Sequence, residues 1–226
     1  MPNELKKPTV PVVEVRRLLA LRKSNRKPRP VVTPMGNRAR GNVPSLKTPV
    51  RIGERNRFES LVEDDFCRVL EVASSVVHYV THPYVVDLSL GSGRHDYTPD
   101  AEVTMLKTLA LAEAKGDYWL SVESARMTLA KNAQKLKQLG IPFLLLLESD
   151  VRADGLQDEL KLLLRERPAC NPRRRDLDPA QWDPSGRVHP TSEQLRRWRE
   201  AQKECDALLD RVMRRDPDEV LERAMA

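Results

Sequence analysis

Apolar residues recur along this chain with two different periods. Over residues 55–73, Phe58, Leu61, Val62, Phe66, Val69, Leu70 and Ala73 return every three or four positions, which predicts an amphipathic helix. Residues 121–138 repeat that pattern with Val122, Ala125, Leu129, Ala133 and Leu136, and Gly140 predicts the helix stop. Between the two helices the period drops to two. Residues 76–80 and 84–86 read as strands interrupted at Pro83. In residues 100–106, Ala101, Val103 and Met105 alternate with Asp100, Glu102 and Thr104. In residues 109–115, Ala110, Ala112 and Ala114 alternate with Leu111, Glu113 and Lys115. The short Lys107-Thr108 connection predicts an antiparallel hairpin, and the alanines suit a sheet face closely covered by a helix. Residues 142–148 hold the unbroken run 144–147 of leucines, which predicts a strand buried on both faces and paired in parallel after the crossover helix.

Outside this block the pattern changes character. A helix over residues 12–23, with Val15, Leu18 and Leu19 as its apolar side, is compatible with the N-terminal sequence. Beyond residue 150, amphipathic helices are predicted over 156–167, over 191–215 (Thr191 as cap, with Leu195, Trp198, Cys205, Leu208, Leu209 and Val212 as its stripe) and over 219–224. Residues 168–190 read as a loop containing the Arg173-Arg174-Arg175 run. The fold class is therefore α/β, a mixed sheet flanked by helices, with a helical C-terminal region. Residues 1–54 form an N-terminal arm, 55–150 a core, and 151–226 the C-terminal region.

Charge sharpens the division. Residues 1–57 carry fifteen Lys/Arg against Glu4, Glu14 and Glu54, a net of +12, whereas the whole 226-residue chain is +6, so the remainder is −6. The arm also holds eight of the prolines, a composition that rarely folds alone and suits an extended segment along DNA phosphates. No stretch of about 18 apolar residues predicts a membrane span. No apolar signal region opens the chain, and Cys67, Cys170 and Cys205 are isolated, which fits a reducing cytoplasm and argues against structural zinc.

The candidate chemistry lies in the hairpin. Asp100 precedes one strand, Glu113 and Lys115 share a face of the next, and all three can meet. Two carboxylates and a backbone carbonyl, here that of Ala114, suit Mg²⁺, with Mn²⁺ as its substitute. Lys115 lands beside that metal, where it can orient the attacking water, lower its pKa or stabilise negative charge developing on a phosphorane. A bare Glu-x-Lys is also an ordinary strand face carrying a surface ion pair. Arg51, Arg55, Arg57 and Arg94, with Lys131 and Lys135 on the second helix, are candidate DNA contacts, although Lys131 and Lys135 equally suit a solvated face. His78 and His82 read as plain strand and turn residues.

Pro99-Asp100 followed by Glu113-x-Lys115 matches the PD-(D/E)xK nuclease signature. Upstream, Phe58-Glu59-Ser60-x-x-Glu63-x-x-Phe66-x-x-x-Leu70-Glu71 resembles the opening helix of the TnsA family, the endonuclease subunit of heteromeric transposases; downstream, Leu139-Gly140-Ile141-Pro142-Phe143 and its apolar strand are similar to the same family. The resemblance covers roughly residues 55–150. It implies a restriction-endonuclease-like core, cleavage of double-stranded DNA at transposon 5′ ends, and two partners, a DDE-type transposase and an AAA+ regulator. It also implies a helix carboxylate in the metal site, Glu63 by position, with Glu59 as the alternate. The same nuclease fold in a phage or another mobile element, or a non-catalytic DNA-binding assembly protein, is an alternative reading of these residues.

Overall fold

The computed structural model describes residues 9–22, 41–43, 45, 47–48, 56–89, 93, 95–167 and 190–223. Arg51, Arg55, Arg94, Cys170, the Arg173-Arg174-Arg175 run and most of the basic arm lie outside those residues. In chain order the elements are α1 (Val12–Leu21), β1 (Gly41–Val43), β2 (Asn56–Phe58), α2 (Leu61–Val72), β3 (Val76–Thr81), β4 (Val86–Asp87), β5 (Asp96–Tyr97), β6 (Ala101–Met105) and β7 (Leu109–Lys115). They continue with α3 (Tyr118–Ser121), α4 (Glu123–Gln138), β8 (Phe143–Leu147), α5 (Glu148–Val151), α6 (Leu156–Glu166), α7 (Ser192–Arg214) and α8 (Pro217–Arg223).

The central sheet has four strands in the order β3-β6-β7-β8. β3 and β6 pair antiparallel, as do β6 and β7, while β8 runs parallel to β7 with Lys115 opposite Leu147. Its two faces are covered differently. Ala101, Val103, Ala110, Ala112, Ala114, Leu144 and Leu146 face a layer of α2, α6 and α7. The small alanines of β7 leave room there for Phe66 and Leu70 of α2 and for Trp198, Leu208 and Leu209 of α7. On the other face, Leu111 packs with Leu18 of α1 and Leu136 of α4, and Leu145 and Leu147 pack with Leu120, Leu129 and Leu221. β8 is thus buried on both sides. Among the described residues, no helix is long and apolar enough to cross a membrane.

Several elements differ from their sequence expectation, each for a local reason. The helix expected over 55–73 starts only at Leu61, because the Ser60 hydroxyl accepts the Glu63 N–H and caps it. Asn56–Phe58 is a strand instead, paired with Gly41–Val43, and the Phe58 ring lies so close over Gly41 that a Cβ there would stand 2.6 Å from it. The α1 helix buries Leu18 but leaves Leu19 58% exposed, since only one of two adjacent leucines can face the sheet. It is anchored by the Glu14 carboxylate, which accepts from the Thr108 hydroxyl and the Leu109 N–H at 3.1 Å each, so part of the arm is folded onto the core. At the end of α4, Gly140 (φ 64) donates to the Lys137 carbonyl and Ile141 to the Leu136 carbonyl, a Schellman closure. α7 buries Trp198, Cys205, Leu208, Leu209 and Val212 in the same cluster as Phe66 and Val103, so the core continues across residue 150.

Candidate metal centre at one end of the sheet

Pairing brings four chain segments together where β3 ends, β6 begins and β7 ends. Thr81 lies opposite Ala101, and Ala101 opposite Ala112. The next residues outward are His82, Asp100 and Glu113. The N-terminus of α2 closes over them with Glu63.

Asp100 and Lys115 mark the strand ends. Oδ2 of Asp100 accepts the Ala114 N–H at 2.9 Å and lies 3.5 Å from Nζ of Lys115. The same ammonium is 2.6 Å from Oε1 of Glu113, whose other oxygen accepts the Tyr97 hydroxyl at 2.6 Å. Asp100 and Glu113 therefore stand on one side of the sheet, joined through Lys115. In an extended strand the N–H and C=O of a residue leave the same edge, so the Ala114 carbonyl is directed toward the edge that Asp100 occupies.

Glu63 is the third residue of α2, where a carboxylate faces the helix's positive end. Its two oxygens accept from the Glu59 N–H at 2.8 Å and the Ser60 hydroxyl at 3.1 Å. Glu59 offers its backbone, and Glu63 offers its carboxylate: of the two, only Glu63 belongs to the group whose donor atoms come within 4.8 Å of one another, with His82 and Asp100. His82 sits in a bend just after β3, as a turn residue, and its ring also reaches the acids. Nε2 of His82 is 3.6 Å from the Glu63 carboxylate, and the residue holds a positive φ of 45° while donating its N–H to the Asp100 carbonyl at 2.9 Å. Such a backbone is sparsely populated for residues with a side chain. No local pattern singles out His82; only the β3–β6 register carries it to the acids. His78, by contrast, contacts the Thr104 hydroxyl within the sheet.

Charge at this end is out of balance. Fully ionised, Glu63, Asp100 and Glu113 would face one permanent cation, Lys115, and the His82 ring beside Glu63. Burial, and then the Asp100 charge, push the Glu63 carboxyl up to about 8, against the opposing pull of the Glu59 N–H, Lys115 and Ser60. The same two causes push Glu113 up to about 7, opposed by Lys115 and Tyr97. Burial by itself would lower the Lys115 ammonium, but the Asp100 and Glu113 charges outweigh it and hold it above its ordinary value. Lys115 is therefore a cation at neutral pH and a hydrogen-bond donor, not a base. Tyr97 stays a phenol, its ionisation opposed by burial and then by Glu113.

Of the expected DNA contacts, Arg57 is exposed and gives its N–H to the Thr81 hydroxyl, beside His82. Lys131 is exposed and Lys135 half-buried on α4, away from the acids along the chain. Ser60, Tyr97 and His82 are site residues that the sequence reading did not assign; the Ser60-x-x-Glu63 capping spacing was a legible signal for the first. In comparisons with known proteins, no family model and no curated protein matches this chain.

Proposed function

We propose that the chain is a metal-dependent DNA endonuclease with a restriction-endonuclease-like core, similar to TnsA in its site. The observation that supports this most is the convergence of Glu63, His82 and Asp100 donor atoms within 4.8 Å of one another, with Glu113 tied to Asp100 through the one ammonium of Lys115. A purely structural cluster of this kind is costly unless paired, whereas a divalent cation restores neutrality.

The donor set suits such an ion. Asp100 and Glu63 offer hard oxygens that fit Mg²⁺, and the His82 ring nitrogen among them tilts preference toward Mn²⁺. Glu113 lies outside that group and reaches Asp100 through the shared Lys115 ammonium. The chemistry a bound cation supplies is a water of lowered pKa and positive charge against phosphoryl oxygens. The chain's residues do the rest. To hold such an ion, Glu63 and Glu113, both raised toward neutrality, would have to release their protons. Lys115, one-third exposed and held protonated, donates to the attacking water or to a phosphoryl oxygen as charge develops. Tyr97 and the Ala114 N–H keep Glu113 and Asp100 in place. The basic arm, with Arg51 and Arg55, binds double-stranded DNA, and the TnsA resemblance extends to cutting at transposon 5′ ends beside a DDE-type transposase and an AAA+ regulator.

Supercoiled plasmid incubated with Mg²⁺ or Mn²⁺ tests the reading: the wild type nicks, and Asp100→Ala lowers the rate by about 100-fold or more. Nicking that persists in Asp100→Ala removes the site from the mechanism. Because a partner protein can be required for cutting, calorimetric titration with Mn²⁺ reads the site directly. Failure of the wild type to bind Mn²⁺, or unchanged binding by Glu113→Ala, would falsify the metal centre.

A further inference from the structure

β3 is an edge of the four-stranded sheet, and the chain just before α2 runs beside it. Two backbone groups of β3 that point away from β6 are met there by side chains. The Tyr79 carbonyl accepts the Thr48 hydroxyl at 3.0 Å, and the Thr81 N–H donates to Oδ1 of Asn56 at 3.2 Å. Asn56 is 3% exposed, and its Nδ2 donates in turn to the Thr48 hydroxyl. An amide suits this place, since it accepts at one end and donates at the other. Asn56 is also carried on a strand: β2 pairs with β1, which sets Asn56 opposite Val43.

What this amide holds is the residue before His82. Thr81 is fixed at two polar groups, its N–H by Asn56 and its hydroxyl by the Arg57 N–H at 2.8 Å. His82 donates its own N–H to the Asp100 carbonyl at 2.9 Å. The link is therefore clamped from both sides at the point where the backbone turns to a φ of 45°. A left-handed residue with a side chain persists only where its surroundings over-determine it, and such strain gathers at functional sites. Capping a sheet edge requires only that its polar groups be met; it does not require the next residue to be strained. Here the turn leaves Nε2 of His82 3.6 Å from the Glu63 carboxylate and inside the group of donor atoms that includes Asp100. The same short segment aims Glu63 as well, through the Glu59 N–H and the Ser60 hydroxyl. Residues 56–60 thus steady both members of the donor group that come from outside the β6–β7 hairpin.

We propose that Asn56 is a positioning residue of the cation site: through Thr81 it keeps the His82 ring among the acids and so sets which cation the site prefers. This rests on the nuclease reading above and adds to it the source of the metal selectivity. With the imidazole held in place, the donor set mixes nitrogen with oxygen and favours Mn²⁺. With the imidazole released, Glu63 and Asp100 offer oxygen alone, which Mg²⁺ accepts as readily.

The test titrates the full chain calorimetrically with Mn²⁺ and, separately, with Mg²⁺. Asn56→Ala weakens Mn²⁺ binding by about 10- to 100-fold and leaves Mg²⁺ binding nearly unchanged. His82→Ala gives the same loss, and the double variant loses no more than either alone, because the amide acts through the ring. Electron spin echo modulation of bound Mn²⁺ reads the contact directly. The wild type shows coupling to an imidazole nitrogen, Asn56→Ala and His82→Ala lose it, and Asn56→Asp, which keeps an oxygen for the Thr81 N–H, retains it. Melting temperatures verify that the variants fold, and the wild-type spectrum needs no variant. Bound Mn²⁺ without nitrogen coupling in the wild type overturns the proposal and leaves the nuclease reading standing. So does an Asn56→Ala protein that keeps its preference for Mn²⁺, or one that loses both metals equally. If the wild type binds neither metal, the positioning role and the nuclease reading fall together.

Discussion

Two buried polar clusters sit at opposite ends of α2, and they are built on different rules. At the C-terminal end, Glu71 is 1% exposed and fully answered: Arg167 donates to it at 2.7 Å, the Ser45 hydroxyl at 2.7 Å and the Tyr79 hydroxyl at 3.3 Å. Lys47, buried beside it, donates to the carbonyls of Leu70 and Ala73 at the helix end, where a cation opposes the helix dipole. Burial lowers Lys47 to about 8, and Glu71 and Asp206 only partly offset that. At the N-terminal end, three acids share one lysine. The first cluster is closed by the chain itself, and for the second we propose that a cation supplies the missing positive charge. Buried charge that is satisfied reads as scaffold; buried charge that is left in excess reads as a site.

The comparison can be broken from either end. The largest effect belongs to Glu71→Ala, which leaves Arg167 and Lys47 buried without their acid; unfolding in urea is expected to show a loss of about 3–5 kcal/mol. Mn²⁺ binding by that variant stays at the wild-type level. A small stability loss, or loss of metal binding, would mean that the two clusters do not differ in kind.

Next comes pH. The Glu63 and Glu113 carboxyls are raised in the folded protein above their ordinary 4.5, to about 8 and about 7. Carboxyls raised on folding bind protons more tightly in the native state, so metal-free stability is greatest below pH 4.5 as far as these groups are concerned. It is lost as pH rises through 7 to 8, by on the order of a few kcal/mol in total. Metal must displace those protons, so the melting-temperature gain on adding Mg²⁺ or Mn²⁺ is expected to grow from pH 6 to pH 8. A gain that is flat or shrinks with pH places the metal elsewhere.

Glu113→Gln sharpens the same contrast. Removing one of the crowded charges is expected to raise metal-free stability at pH 8 by about 1–2 kcal/mol, while the metal-induced rise in melting temperature disappears. A destabilised Glu113→Gln protein would show that Lys115 needs this carboxylate for the fold. The smallest effect is that of Ser60→Ala, which removes the α2 cap and one donor to Glu63; it costs about 1 kcal/mol. Its readouts are the melting temperature and a weaker Mn²⁺ titration, since the Glu63 carboxylate loses a hydrogen bond that aims it.

Much of this architecture is local information. Period two in residues 100–115 and period 3.6 in 121–138 were enough to mark β6, β7 and α4, because side-chain direction follows backbone geometry over a few residues. The same parity put Glu113 and Lys115 on one face, whereas the apolar period carried the expected α2 back to residue 55, past the Ser60-x-x-Glu63 capping spacing that sets its start. Tertiary structure alone decided the rest. It determined which helix glutamate turns toward Asp100, that His82 joins them, that Lys115 is held protonated, and that Trp198 and Leu209 complete the core under β7. These depend on contacts between residues far apart in sequence and on electrostatic interactions that vary with distance and burial, quantities that exist only once the strands are in register.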